Sequence, residues 1–108
     1  MSEQVKLIAL LKATPGMSRT DFEERWVKGH AHLVARWKNI KGYRINVAIE
    51  EYQQEDEIPY DGTAELWWDS LEEMKADFAS EDAKIAGEDA DIFSVVRTHI
   101  ITREYIIK

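Results

Sequence analysis

The segment from Phe22 to Trp37 constrains the fold of this chain more than any other, because its apolar residues recur at helical spacing. On a helical wheel at about 100° per residue, six side chains fall within an arc of about 120°, the width of a stripe that packs against a core. The six are Phe22, Trp26, His30, Leu33, Val34 and Trp37. His32 projects to the opposite, solvent side. The pattern predicts an amphipathic helix that points His30 inward between tryptophans.

The predicted helix has a recognisable beginning and one weak point. Pro15 and Gly16 mark a turn, and the stretch from Ser18 to Asp21 resembles a capping box with Ser18 as the N-cap. Gly29 lies inside the helix, where glycine costs about 1 kcal/mol relative to alanine. Any kink in this helix is therefore expected at Gly29.

Four segments have the patterns of β-strands. They are Val5–Lys12, Tyr43–Glu51, Thr63–Asp69 and Val95–Ile107. Ser70 begins a second capping box, and Ser80 is a candidate cap for a further short helical segment. The order β-α-β-β-α-β predicts an α+β, ferredoxin-like fold, in which a four-stranded antiparallel sheet carries its helices on one face. The length of 108 residues favours one domain over residues 1–108.

The predicted strands carry apolar residues on both faces. Leu7 and Ile8 are neighbours that point to opposite faces, and so are Ile100 and Ile101. Helices on one face leave the other face uncovered, and the simplest cover is the same face of a second chain. We therefore expect a homodimer through sheet-to-sheet packing, although the pattern leaves open which strand face meets the partner.

The composition argues against several classes of function. The net charge is −7 and the basic residues do not cluster, which argues against nucleic-acid binding. No apolar run approaches the length of about 18 residues that a membrane span needs, and the first residues do not resemble a signal peptide, so a cytoplasmic protein is expected. The chain has no cysteine, and His30 and His32 diverge on the helix, so no metal site is predicted. Glycine-rich phosphate-binding motifs and a nucleophile elbow are also missing.

His30 is the first candidate for a catalytic residue, because an imidazole exchanges a proton near neutral pH without a metal. Burial among aromatic rings would lower its pKa and favour the neutral base. Glu65 is the second candidate, since a carboxylate beside Trp67 could act as an acid or orient His30. Two structural alternatives stay open. His30 could be a core histidine bonded to a backbone carbonyl, and Glu65 could form an ion pair with Arg44 or Arg97.

Other residues are candidates for binding a substrate. Tyr43 and Asn46 offer hydrogen bonds to a carbonyl or hydroxyl group, but they point to opposite faces of a regular strand, so at most one of them lines the pocket. His99 could enter either the pocket or the dimer interface. The aromatic candidates for pocket walls are Phe22, Trp26 and Trp67. Such rings suit a flat apolar ligand, although they are more often part of a core.

Two blocks of the sequence resemble the EthD family. The first block is Lys6–Lys12, then Pro15–Ser18, then Phe22, Trp26 and His30; the second is Gly42, Tyr43 and Asn46 with Tyr60–Ser70. The resemblance covers nearly the whole chain. It implies a dimeric α+β barrel, related to cofactor-free isomerases, cyclases and monooxygenases. It also implies that the histidine at the position of His30 lines a pocket between helices and sheet.

These observations together favour a cofactor-independent enzyme that acts on a small apolar or aromatic carbonyl compound. The expected reaction is an isomerisation, a cyclisation or a monooxygenation in catabolic or secondary metabolism, with His30 as general base and no cofactor. Two alternatives stay open. One is a dimeric, non-catalytic protein that binds a small molecule or has a structural role, and the other is a haem-handling barrel, since related barrels bind haem through a helix histidine.

Overall fold

The computed structural model describes residues 4–49 and 59–108. The strands are β1 (Val5–Ala13), β2 (Gly42–Val47), β3 (Gly62–Trp68) and β4 (Ser94–Thr102). The helices are α1 (Arg19–Gly29), α2 (Ala31–Ala35), α3 (Leu71–Phe78) and α4 (Glu81–Phe93). The elements follow the predicted order, with two helices in each helical region. The end of the predicted second strand, from Glu50 on, lies outside the described residues.

The four strands form one antiparallel sheet in the order β2-β3-β1-β4. This strand order and the βαββαβ connectivity confirm the ferredoxin-like fold. The helices cover one face of the sheet, here termed the helix side, where β1 and β3 bury alternate residues. These are Leu7, Ala9, Leu11, Ala64, Leu66 and Trp68. The opposite face, termed the outer face, carries Ile8, Leu10, Glu65 and Trp67, because side chains alternate along a strand.

The helices α1, α3 and α4 each begin at a serine cap, as the sequence predicts. The three hydrogen bonds run from Asp21 N to Ser18 Oγ at 3.1 Å, from Glu73 N to Ser70 Oγ at 3.2 Å and from Ala83 N to Ser80 Oγ at 3.2 Å. A cap of this kind stabilises a protein by about 1 kcal/mol. Within the described part of the chain, no helix is long and apolar enough to cross a bilayer.

The predicted helix from Phe22 to Trp37 is two helices that meet at His30. Helix α1 ends at Gly29, and His30 then adopts φ −119° and ψ −38°, outside ideal helical values, before α2 begins. The break follows Gly29, where the low helix propensity of glycine makes an interruption least costly. The side chains of Trp26, His30 and Trp37 stay buried across the break. The predicted stripe of buried side chains is therefore present, although Trp37 lies beyond the end of α2.

Candidate functional site

A cavity of about 110 Å³ lies between the helices and the helix side of the sheet. Its floor is apolar and comes from Leu7, Ala9, Leu11, Ala64 and Leu66. Helix α4 contributes small residues to the wall, namely Ala83, Ala86, Gly87 and Ala90. The space exists because these side chains are too short to fill it. The polar and aromatic groups of the wall are Trp26, His30, Trp37, Tyr43, Phe78, Arg97 and His99.

His30 presents an oriented imidazole to this cavity. Its Nδ1 lies 2.8 Å from Oδ2 of Asp89 on α4. A carboxylate accepts a hydrogen bond from Nδ1–H, which places the proton on that nitrogen and leaves Nε2 with its lone pair. The ring of Phe93 packs edge-on against the imidazole, with 5.1 Å between the ring centroids. Nε2 is thus the nitrogen available to a molecule in the cavity.

Arg25 holds Asp89 through two hydrogen bonds, from Nη1 to Oδ2 at 3.1 Å and from Nη2 to Oδ1 at 2.5 Å. Burial acts to raise the pKa of Asp89, but the hydrogen bonds from Arg25 and His30 outweigh it and lower that pKa. Asp89 is therefore a carboxylate at neutral pH. The two hydrogen bonds from Arg25 fix the orientation of the Asp89 carboxylate and also favour its charged form.

The protonation state of His30 follows from its surroundings. Burial lowers the pKa of His30 below its usual value, the contact with Asp89 opposes this, and the charges of Arg25 and Arg97 lower the pKa further. The net direction is downward, as the sequence predicts from burial among aromatic rings. At neutral pH the imidazole is neutral, and Nε2 can accept a proton.

Tyr43 and Trp26 line the same cavity. Burial raises the pKa of Tyr43 to about 12, although a hydrogen bond with Trp26 acts in the opposite direction. Tyr43 therefore keeps its proton and offers a hydroxyl group, not a base. Phe22 packs behind Trp26, with 5.3 Å between the ring centroids, and belongs to the core instead of the cavity wall.

Glu65, Asn46 and Trp67 lie on the outer face, away from His30. Glu65 accepts hydrogen bonds from Lys6 Nζ at 2.9 Å and from Asn46 Nδ2 at 2.8 Å. Strand alternation explains the separation, because Ala64 and Leu66 point to the helix side and Glu65 between them cannot. The expected support of His30 by Glu65 is thus corrected to support by Asp89. The ion-pair alternative for Glu65 holds, with Lys6 as partner instead of Arg44 or Arg97.

Trp67 is part of a cationic cluster on the outer face. Lys6 Nζ lies 5.1 Å from its ring centroid, and the Arg44 guanidinium lies 5.3 Å from it. The hydrogen bond with Lys6 is the main cause that lowers the pKa of Glu65. Trp67 therefore lies outside the cavity, and the prediction that it forms part of the pocket wall is wrong.

Two residues of β4 complete the cavity wall. His99 lies on the helix side and lines the cavity, which is one of the two places that the sequence left open for it. Burial lowers its pKa, and the charge of Arg97 adds to this. Arg97 donates to the Gly87 carbonyl oxygen at 3.1 Å and also pairs with Asp91. Its guanidinium is therefore already bonded on the side of α4.

The comparison with known families agrees with this geometry. The family model described as the EthD domain matches residues 14–95. The chain belongs to the EthD family. Among solved structures, an EthD family protein from Bacillus halodurans shares 23% identity at a TM-score of 0.77, with 94% of this chain and 99% of that chain covered. No curated protein matches the chain.

More distant structures share the fold of this EthD chain. A dimeric ferredoxin-like protein of unknown function from Thermobifida fusca has 15% identity and a TM-score of 0.75, covering 96% of this chain and 93% of that chain. SnoaB from Streptomyces nogalater, a cofactor-independent oxygenase, has 11% identity and a TM-score of 0.66, covering 99% and 100%. At such identities the likeness establishes the fold alone.

The described residues of this EthD chain form no metal site, and the cavity does not enclose a haem. Over residues 4–49 and 59–108, no three or more side chains of His, Asp or Glu come together in a way that could hold a metal ion. A porphyrin is much larger than about 110 Å³, so a haem at His30 would extend out of the cavity.

Sequence reasoning missed three residues at the site of this EthD chain: Arg25, Asp89 and Trp37 as a donor. Asp89 and its acidic neighbours on α4 have the pattern of a solvated helix face. This pattern does not distinguish Asp89, whose carboxylate turns inward to His30, from the others. Trp37 is buried and lines the cavity, and its Nε1 has no hydrogen-bond partner among the described residues. A buried indole N–H normally has an acceptor, so this enclosed and unpaired donor in the core beside the cavity is unusual.

Proposed function

We propose that this chain is a cofactor-independent enzyme that moves a proton on a small apolar carbonyl compound. The observation that carries the proposal is the 2.8 Å contact between His30 Nδ1 and Asp89 Oδ2 at the wall of an apolar cavity. A base oriented by a carboxylate is the arrangement that general-base catalysis needs. The fold shared with a cofactor-independent oxygenase supports the class of reaction.

In the proposed step, Nε2 of His30 takes a hydrogen, as a proton, from the carbon next to the carbonyl group. The electron pair of the broken C–H bond moves into an enolate, and the imidazolium that forms is stabilised by Asp89. Return of the proton to a different carbon isomerises the substrate, and attack of the enolate on a second carbonyl closes a ring. Oxygenation would require molecular oxygen as a further reactant.

The cavity supports a small substrate. Its volume of about 110 Å³ is below the range of about 300–1,000 Å³ found for pockets that enclose drug-sized ligands. Its walls are mainly apolar, with the Tyr43 hydroxyl group as a neutral donor for a carbonyl oxygen. A small ketone or aldehyde group matches both the size and the polarity of this space.

Exchange of hydrogen for deuterium tests the proposal directly. Purified protein is incubated with cyclohexanone in D₂O, and deuterium uptake next to the carbonyl is followed by NMR. We expect catalysed exchange that falls at least about 100-fold in His30→Gln, the lower end of what a general base contributes. His32→Gln is the matched control, because His32 is exposed on the opposite side of α2, and it should exchange at the wild-type rate. Equal exchange in His30→Gln and the wild type would remove His30 from the mechanism.

A second candidate is a non-catalytic protein that binds the same class of small molecule. The small volume and the apolar walls of the cavity favour it. In that case cyclohexanone binds, but deuterium uptake stays at the level of His30→Gln in the wild-type protein.

We further propose that the chain is a homodimer paired through its outer faces. The outer face carries Ile8, Leu10, Val96 and Ile100, and both Val96 and Ile100 are exposed. The segment from Tyr105 to Ile107 follows β4 and is also exposed. Apolar surface of this extent marks an interface, and a structural neighbour is described as dimeric. One domain over residues 1–108 and a cytoplasmic location stay predictions from the sequence.

A further inference from the structure

The helices do not cover strand β4, so its side chains are exposed to solvent on the helix side as well as on the outer face. Residues 95–101 are all exposed, whereas β1 and β3 bury their helix-side residues. On the helix side, Ile101 pairs in register with Leu7 and His99 pairs with Ala9. Ile101 is 47% exposed. The core therefore leaves apolar surface uncovered on the side where the cavity lies.

A shallow groove on this surface adjoins the cavity. Leu7, Phe78 and His99 line both spaces. The rings of Phe78 and His99 pack against each other at this border, with 6.3 Å between their centroids. Phe78 is 40% exposed even though its ring also packs against Trp37 and Trp68. The groove is therefore the apolar surface next to the cavity.

The walls of the groove suit an uncharged hydrocarbon chain. Beyond the shared residues they come from Met74, Lys75, Ala79 and Ile101. Lys75 is the charged member, and a lysine contributes an aliphatic stem to such a wall while its ammonium group stays in water. A carbonyl group and its nearest carbons fill a cavity of about 110 Å³, so the rest of a longer molecule has to lie outside it, and the groove is the adjoining apolar surface.

We propose that the groove between α3 and the helix side of β4 binds the alkyl tail of a neutral ketone whose carbonyl group occupies the cavity. This inference rests on the proposed function for the position of the carbonyl group. It extends the substrate class from a small carbonyl compound to one with a linear apolar chain. Ile101 and Met74 are then residues that determine specificity, and they take no part in the proton transfer.

Binding of a series of ketones tests the proposal. The dissociation constants of 2-butanone, 2-hexanone and 2-octanone are measured by NMR titration of the wild-type protein. We expect the affinity to rise about two- to fourfold per methylene group, as burial of hydrocarbon predicts. In Ile101→Ser, the affinity for 2-octanone should fall about tenfold and that for 2-butanone less than twofold. Ile92→Ser is the matched control, since Ile92 is exposed on α4 and lines neither space, and it should bind as the wild type does.

The outcomes separate this inference from the proposed function. A gain of affinity with chain length that needs Ile101, without deuterium exchange, supports the tail site and contradicts the enzyme. Exchange with equal affinity along the series supports the enzyme and overturns the tail site. Conversion of a dimer to monomers in Ile101→Ser would show that a second copy covers this surface, and it would overturn the inference. Failure of all three ketones to bind would overturn it too.

Discussion

His30 Nδ1 and Asp89 Oδ2 lie 2.8 Å apart although 59 positions separate the two residues in the chain. The contact joins the junction of α1 and α2 to the middle of α4, and Arg25 secures it from α1. A neutral histidine held by a carboxylate at the wall of an apolar cavity has the geometry of a general base.

Removing the carboxylate should lower the pKa of His30 further. Burial already holds this pKa below the usual value, and Asp89 is the contact that raises it. In Asp89→Asn we expect His30 to titrate at a lower pH than in the wild type, as measured by NMR of the imidazole carbon-bound protons. His99 is the internal reference, because Asp89 is not among the causes that shift its pKa. An unchanged titration of His30 in Asp89→Asn would contradict the pairing.

Acidification should destabilise the fold in part through His30. Folding lowers the pKa of His30, so the unfolded chain binds more protons below about pH 6.5 and stability falls as the pH falls. Folding also lowers the pKa of Asp89, so the contribution of Asp89 is lost only in a more acidic range. We expect the free energy of unfolding in urea to decrease from pH 7 to pH 5, by at most about 1.4 kcal/mol per pH unit for this histidine.

The variant His30→Gln isolates that effect. Its free energy of unfolding should depend less steeply on pH between 7 and 5 than that of the wild type, because the buried titrating group is gone. His32→Gln removes an exposed histidine and should keep the wild-type slope. A wild-type slope in His30→Gln would assign the pH dependence to other groups.

Ile100 and Ile101 provide a matched test of the proposed dimer. They are adjacent, of one residue type and 48% and 47% exposed, but they point to the outer face and the helix side respectively. Ile100→Glu should convert the dimer to monomers, because it places a charge in the apolar contact between sheets. Ile101→Glu should leave the dimer intact. Light scattering after size exclusion measures both, and a monomeric Ile101→Glu beside a dimeric Ile100→Glu would place the interface on the helix side.

Two glycines should respond in opposite ways to the same substitution. A Cβ atom at Gly42 would lie 2.0 Å from the ring of Trp67, which Lys6 and Arg44 hold in place. Gly42→Ala should therefore lower the free energy of unfolding by about 1–3 kcal/mol. At Gly87 on α4 a Cβ atom would meet nothing within 4 Å. Gly87→Ala should raise stability by about 0.5–1 kcal/mol through helix propensity, and thermal unfolding would show a loss instead if the added methyl group strains the fold.

Much of the fold could be predicted from local pattern. The serines at positions 18, 70 and 80 cap helices because their hydroxyl groups satisfy N–H groups a few residues ahead, which depends on neighbouring sequence alone. The strand order follows from the βαββαβ succession. The inward aim of His30 also followed from spacing, because Gly29 interrupts the helix without turning the stripe away from the core.

The partner of His30 could not be predicted in the same way. Asp89 belongs to an acidic helix, and only the packing of α4 against α1 selects this carboxylate over its neighbours. The sequence favours Glu65 because it shares a strand face with Trp67. Strand alternation correctly grouped Glu65 with Trp67, but the pattern did not tell which face the helices cover. Which face the helices cover depends on long-range contacts, which form when the helices pack against β1 and β3.

On α4, different residues determine the size of the cavity and the orientation of the histidine. Ala86 and Ala90 set how much room there is, while Asp89 on the same helix sets how the histidine is held. A longer side chain in place of Ala86 or Ala90 would reduce the volume of the cavity and leave the contact between His30 and Asp89 intact. The room beside the histidine is therefore adjustable along one helix without any change in how the imidazole is oriented.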